Sequence, residues 1–469
     1  MTAIATTARS RTGSTSGASL SIERDPMRML LFAIIVMAIS KIHANFNFLT
    51  RLHPAQLAVL LALFYAMANP KSLATGKLLR TWPAKVMAGL GLMACLSVPF
   101  GLSMGGAAAF FLNEYSKTLV LAFLVLAAIR NTRDLYTMVW AYVAGTACLA
   151  YLAIFVLRTT VAAGDTMARI SGGFSFDAND MCVIAVIGLP FALLCFQLST
   201  GAARVFTVMT MLAVGMLVAR SGSRGGFLGL VVVGGALLVL VRGISVHRKL
   251  LTVGVLAMGV FLSAPEGYLA QMQTILHPSE DYNTTSPTGR VEIWKRGFTY
   301  MITHPIAGIG VNNFQRAEGN ISDQAVAAHE VDDGVRWNAA HSTIVQAGAE
   351  MGVPGLVLMV MLMYRGVFEL LALRRKLPVS WEKGTPEERF LYQLTMFLPA
   401  SLLGFGSAGL LVSHAYIEPI YLLGAFQAGY MTVLKEKLSG HSTGATAVPP
   451  PVRRYRGGLP PVGMPPNGR

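Results

Sequence analysis

Between residues 27 and 434 the chain carries many continuous apolar runs of about 16 to 20 residues. The runs do not alternate polar and apolar positions, so they do not read as strands of a half-buried sheet. As helices, each is long enough to cross a hydrocarbon core of about 30 Å. A helix also satisfies its own backbone hydrogen bonds inside lipid. Only 13% of the residues are charged, against about 25% in an ordinary soluble domain. The sequence therefore predicts an all-α, polytopic integral membrane protein. The runs lie near 27–42, 54–69, 84–102, 115–130, 134–157, 179–198, 203–219, 225–241, 248–264, 341–363, 390–411 and 415–434, about twelve transmembrane helices. In the tenth, Gly352, Pro354 and Gly355 can separate a short helix starting at His341 from a span starting near Val353.

This spacing divides the chain into five segments. Residues 1–26 form a Ser-, Thr- and Ala-rich tail; 27–264 carry helices one to nine; 265–340 form one large polar loop. Residues 341–437 carry helices ten to twelve, and 438–469 form a Pro- and Gly-rich tail. Both tails are expected to be disordered. No small-residue cleavage site follows the first run, so the first helix is expected to be retained. The tail's shortage of acids before Glu23 is also how a transit peptide looks.

Orientation follows from Lys and Arg. With the N-terminus in the cytoplasm, 26 of the 38 Lys and Arg residues face the cytoplasm, as the positive-inside rule requires. Both tails are then cytoplasmic and the 265–340 loop is exoplasmic. A cysteine placed at Ser322 would test that side by labelling. The net charge of +15 is accounted for by cytoplasmic loops, without a nucleic-acid partner. Cys95, Cys148, Cys182 and Cys195 all lie in apolar runs, without metal-ligand spacing. They read as small buried apolar residues rather than a disulfide framework.

Several residues on the exoplasmic side depart from this plan. Arg220 and Arg224 occupy a short turn, Arg220-Ser221-Gly222-Ser223-Arg224-Gly225-Gly226, between helices seven and eight. The small residues allow backbone N–H groups to approach a ligand, and the next helix begins there with its positive end. The turn suits a phosphate; the other reading is a pair of interfacial arginines reaching lipid phosphates. Arg290 opens a helical stretch with Val291, Trp294, Phe298 and Met301 on one stripe, ending at His304-Pro305. That stripe fits a helix lying in the outer interface, with Trp294 at headgroup depth. His341 stands where the loop re-enters the membrane. Near arginines its neutral form is favoured, and a neutral imidazole can take a proton from a hydroxyl. An interfacial histidine with an ordinary hydrogen bond is the alternative. Glu350, nine residues on, falls on the other side of a straight helix from His341. The loop acids Asp323, Glu330, Asp332 and Asp333 read as a solvated surface.

The ordered series Phe176-Asp177-Ala178-Asn179-Asp180, Ser223-Arg224-Gly225-Gly226, Gly289-Arg290 with Trp294, His304-Pro305, Gly308-Ile309-Gly310, Asn313-Phe314, and His341-Ser342 with Gln346, Glu350, Gly352 and Pro354-Gly355 resembles the O-antigen ligase and polymerase superfamily. These are bacterial membrane glycosyltransferases, and the likeness spans roughly residues 170–430. Ser342 departs from the family, which usually has Asn after the His.

The resemblance implies a multi-pass protein of the bacterial inner membrane with a periplasmic active site. It implies an undecaprenyl-diphosphate-linked glycan as donor, with its pyrophosphate held by Arg224 and Arg290 and, on the turn's own evidence, Arg220. His341 would activate the acceptor hydroxyl of lipid A–core or of a second lipid-linked glycan. Two arginines can neutralise a pyrophosphate leaving group without a metal, so an inverting transfer needing neither metal nor cofactor is expected. The alternative from another class is a transporter or flippase for a polyprenyl-diphosphate-linked glycan. That reading predicts internal repeats and ionisable groups at mid-membrane.

Overall fold

A computed structural model describes residues 20–161, 167–171, 176–241, 245–277, 286, 289–330 and 337–445. The protein is all-helical apart from one short hairpin among the described residues. Among the described residues, nine helices are long and apolar enough to cross a membrane: Asn47–Ala68, Trp82–Phe100, Met104–Ala128, Thr132–Val156, Ala178–Leu198, Gly201–Ser221, Val246–Ser263, Thr343–Arg374 and Pro386–Leu411. Pro26–Ser40 and Arg224–Leu240 are shorter apolar helices, and Glu418–Ala445 is the last helix. Every apolar run of the sequence is thus a helix, and the chain is a multi-pass membrane protein. The chain divides into two units, residues 1–433 and 434–469. The second is helical up to Ala445, past residue 438, where the sequence predicts a disordered tail. The first 19 residues and those after 445 lie outside the described residues.

Polar contacts between helix ends mark two opposite ends of the first unit. At one end, Arg28 is fully buried and donates to Asp134 (2.9 Å), Asp25 (3.0 Å) and the Ala128 carbonyl (2.8 Å). Arg374 donates to the Leu240 carbonyl there (2.7 Å). At the other end Lys41 pairs with Glu418 (2.6 Å), and Asp180 meets His414 (2.6 Å). This second end receives the chain segments that follow helices one, five, seven, nine and eleven, as alternating passes require.

The Thr343–Val360 helix breaks at Gly352, whose φ of 70° is left-handed. The break frees the Val353 N–H, which donates to the Pro305 carbonyl at 2.8 Å. A Cβ at Gly352 would come within 2.5 Å of that same oxygen, so both conformation and contact demand glycine. The anticipated division of the tenth helix is therefore the seat of the loop.

The structure adds a buried face to one expected element and corrects a second expectation. The loop helix Arg290–Thr303 buries Ile293, Gly297 and Tyr300, with Phe314, Val345 and Ala349 in the same cluster. This stripe is one residue away from the 294/298/301 stripe, about 100° round the helix. The helix packs on protein through this face, while Phe298 on the neighbouring stripe stays exposed and the Trp294 indole donates to the Ala340 carbonyl (3.1 Å). Among the cysteines, all free, Cys182 and Cys195 are buried, but Cys148 is half-buried and Cys95 exposed.

Candidate active site

The Gly201–Ser221 helix ends at Gly222, left-handed at φ 58°. Ser223 then caps the next helix, its Oγ accepting from the Gly226 N–H (3.1 Å). Arg224 is therefore the first residue of a helix, at its positive end. The Ser223 N–H donates to Ser221 Oγ (3.1 Å) and the Gly222 N–H to the Ala219 carbonyl (3.2 Å). The turn thus uses most of the amides that the sequence offered to a phosphate, leaving recognition to side chains. Arg290 likewise opens its helix, after Gly289.

Arg224 and Arg290 line one open cleft of about 290 Å³, together with Arg169, Asn179 and Gln271. Arg224 donates to Thr274 Oγ1 (2.8 Å). Arg169, missed in the sequence, arrives on the hairpin, in which Arg158–Thr160 pairs antiparallel with Arg169–Ser171. Its guanidinium donates to the Ser221 carbonyl (2.8 Å) and to Asn179 Oδ1 (3.0 Å). A Cβ at Gly222 would stand 3.3 Å from Arg169 Cγ and closer still to Met167, so the bare glycine lets this arginine lie against the turn. Three guanidiniums around one cleft can offer paired N–H donors to an anionic ligand. Arg220 does not line it; its Nε is buried with no hydrogen-bond partner among the described residues.

His341 sits beside this cleft in an uncommon conformation, φ 45°, which costs a non-glycine residue about 1–3 kcal/mol. It is held from both sides. Trp294 grips the Ala340 carbonyl (3.1 Å), and Ser342, in place of the family's Asn, caps the following helix by accepting from Val345 N–H (3.5 Å). Burial, and next the Arg290 charge, push the His341 pKa below its ordinary value, while Asp177 and Asp180 oppose the shift. The two aspartates form a reciprocal cap at the start of the Ala178–Leu198 helix. Asp180 also meets His414 Nε2 (2.6 Å). His414 is buried, its Nδ1 has no partner among the described residues, and its backbone N–H donates to Thr343 Oγ1 (3.1 Å). The Asp180–His414 pair joins residues 234 positions apart and carries no local sequence signal.

Other motif residues serve as framework. Glu350 accepts from the N–H groups of Asn312 (3.0 Å) and Phe314 (2.9 Å) and from the Tyr416 hydroxyl (2.6 Å). It is thus no partner of His341. The Gly308-Ile309-Gly310 turn docks on the kinked helix, Ile309 N–H donating to the Ala349 carbonyl (2.8 Å). Arg296 makes a bidentate pair with buried Glu318, which also accepts from Tyr300. Asp323 is exposed; the side chain of Glu330, with Asp332 and Asp333, lies outside the described residues. Glu350→Ala should leave three donors unpaired. At about 1–3 kcal/mol for each buried unsatisfied group, it should sharply lower the thermal unfolding temperature of the purified protein, and Glu350→Gln should restore part of the loss.

The O-antigen ligase family profile matches residues 206–360. The match covers about a third of the chain. The matched segment contains the Arg224 turn, Arg290 and His341, so the resemblance read from the ordered motifs is borne out there. Arg169, Asp180 and His414 lie outside it. No curated protein sequence matches the chain.

Proposed function

We propose that this O-antigen ligase-type membrane protein transfers a glycan from undecaprenyl diphosphate to an acceptor hydroxyl on the periplasmic side of the bacterial inner membrane. The acceptor is lipid A–core or a second lipid-linked glycan. The observation that carries the reading is the cleft where Arg169, Arg224 and Arg290 converge, beside a His341 whose neutral form is favoured by burial and Arg290.

In this mechanism the arginines hold the pyrophosphate at the membrane surface while the polyprenyl chain stays in lipid. Neutral His341 accepts the acceptor hydroxyl's proton as its oxygen attacks the anomeric carbon. The C–O bond to the diphosphate breaks and undecaprenyl diphosphate departs, its charge already met by the guanidiniums. Direct attack inverts the anomeric centre. The reading is tested by purified protein with lipid-linked donor and acceptor, scored for a new glycosidic bond without added metal or nucleotide; no product under these conditions would overturn it.

Sidedness is tested separately. Ser322 is a poor labelling position: it is buried, and its hydroxyl donates to the Glu318 carbonyl (2.6 Å). Ala327 is exposed on the Asp323–Glu330 helix. A cysteine introduced by Ala327→Cys, in a background lacking exposed Cys95, should react with a membrane-impermeant maleimide in cells with a permeabilised outer membrane. Reaction only after the inner membrane is opened would reverse the topology.

A further inference from the structure

At the end of the bundle opposite the arginine cleft, the helices Ala178–Leu198, Arg224–Leu240 and Val246–Ser263 leave a groove of about 500 Å³. The end is fixed by the chain itself. Asp180, at one terminus of the first of these helices, faces the active site, and Gln197, at the other terminus, lines the groove. The body of the groove is apolar, with Leu193, Leu237 and Leu256 among its walls. Its rim carries Gln197, Arg248 and Lys249. Only 11% of the Val246–Ser263 helix window is buried, so one wall of the groove is a helix largely exposed on the outside of the bundle.

Three features of the rim and body converge on one ligand. Gln197 Nε2 is a buried donor with no partner among the described residues, and a buried unpaired donor calls for an acceptor. Arg248 is exposed, and Lys249, while donating to the Leu238 carbonyl (2.7 Å), keeps two further donors. The apolar body calls for hydrocarbon. We infer that the groove binds an anionic glycerophospholipid of the leaflet opposite the active site, one acyl chain lying in the groove. Its ester or phosphate oxygens accept from Gln197, and its anionic headgroup meets Arg248 and Lys249. Basic pockets between membrane helices on the positively charged side recognise such headgroups. A partner helix would supply hydrocarbon but would also have to bring a carboxylate to the same depth, which is costly in lipid.

A Cβ at Gly234, which lines the groove, would meet nothing within 4 Å. Gly234→Leu therefore adds a side chain whose Cβ has open space, directs apolar bulk at the groove and replaces a poor helix former with a good one. Full-length protein in detergent, titrated with phosphatidylglycerol and phosphatidylethanolamine of identical chains, should retain the former at a concentration about tenfold lower by native mass spectrometry. Arg248→Ala with Lys249→Ala should bring that preference close to one. Gly234→Leu should weaken binding of both lipids about tenfold while the unfolding temperature holds. Equal retention of the two lipids by the unaltered protein, or binding indifferent to these substitutions, overturns the inference. A dimer that Gly234→Leu dissociates would assign the groove to a second copy of the chain and overturn it equally.

Discussion

Arg290→Ala and Arg224→Ala are each expected to reduce glycan transfer by about a thousandfold, with protein abundance unchanged. Two unit charges 4 Å apart gain about 4 kcal/mol at an effective dielectric of 20, and each 1.4 kcal/mol is worth about tenfold in rate. Arg169 faces the same cleft, and Arg169→Ala should show a loss of the same kind. Part of that loss will come from the freed Asn179 and Ser221 carbonyl groups that Arg169 now engages. Lysine at 224 or 290 should recover only part of the activity, because a point charge lacks the planar fork that matches two phosphate oxygens. Arg220 supplies the contrast. It lies outside the cleft, so Arg220→Ala should keep most of the activity. Transfer assays on membranes with matched protein levels read all of these. Normal product from the 224 and 290 alanine variants would make those arginines interfacial anchors.

The difference between the arginines shows what the sequence could carry. Helices were legible because every span is a continuous apolar run, a local property that lipid makes decisive. Arg224 and Arg290 were legible because each opens a helix next to glycine at a boundary between polar and apolar text. Arg220 lies only four positions before Arg224, yet it sits in the last turn of the preceding helix, and its direction depends on which neighbouring helix it packs against. Arg169 belongs to a three-residue strand whose only periodic feature is its partner strand, so nothing nearby marks it.

The same limit governs the histidines. His341 stands out at a boundary between polar and apolar text. His414 and Asp180 meet across 234 positions, through helix packing that no local pattern encodes. The protein-facing side of the loop helix is not legible, because Gly297 and Tyr300, which lie on it, give little hydrophobic signal beside the more apolar stripe.

His341→Ala is expected to lower transfer by about 10²–10⁴, the usual contribution of a general base, while donor binding persists on the three arginines. The backbone at this residue separates catalysis from structure. At φ 45° a histidine is strained and a glycine is not, so His341→Gly should unfold no lower than the unaltered protein and still be inactive. The pH profile gives the sign. Burial and Arg290 depress the His341 pKa, so the base form survives below the ordinary histidine value of about 6.5, and transfer should fall only on the acid side of it. Asp177 opposes that depression. Asp177→Asn keeps a good capping side chain but removes the opposing charge, so the acid limb should move to still lower pH. His341→Gln should not restore activity, since an amide cannot take the proton. Full transfer by His341→Ala would remove this residue as the base. Movement of the lipid-linked glycan across the membrane with no new glycosidic bond would replace the transferase reading with a flippase.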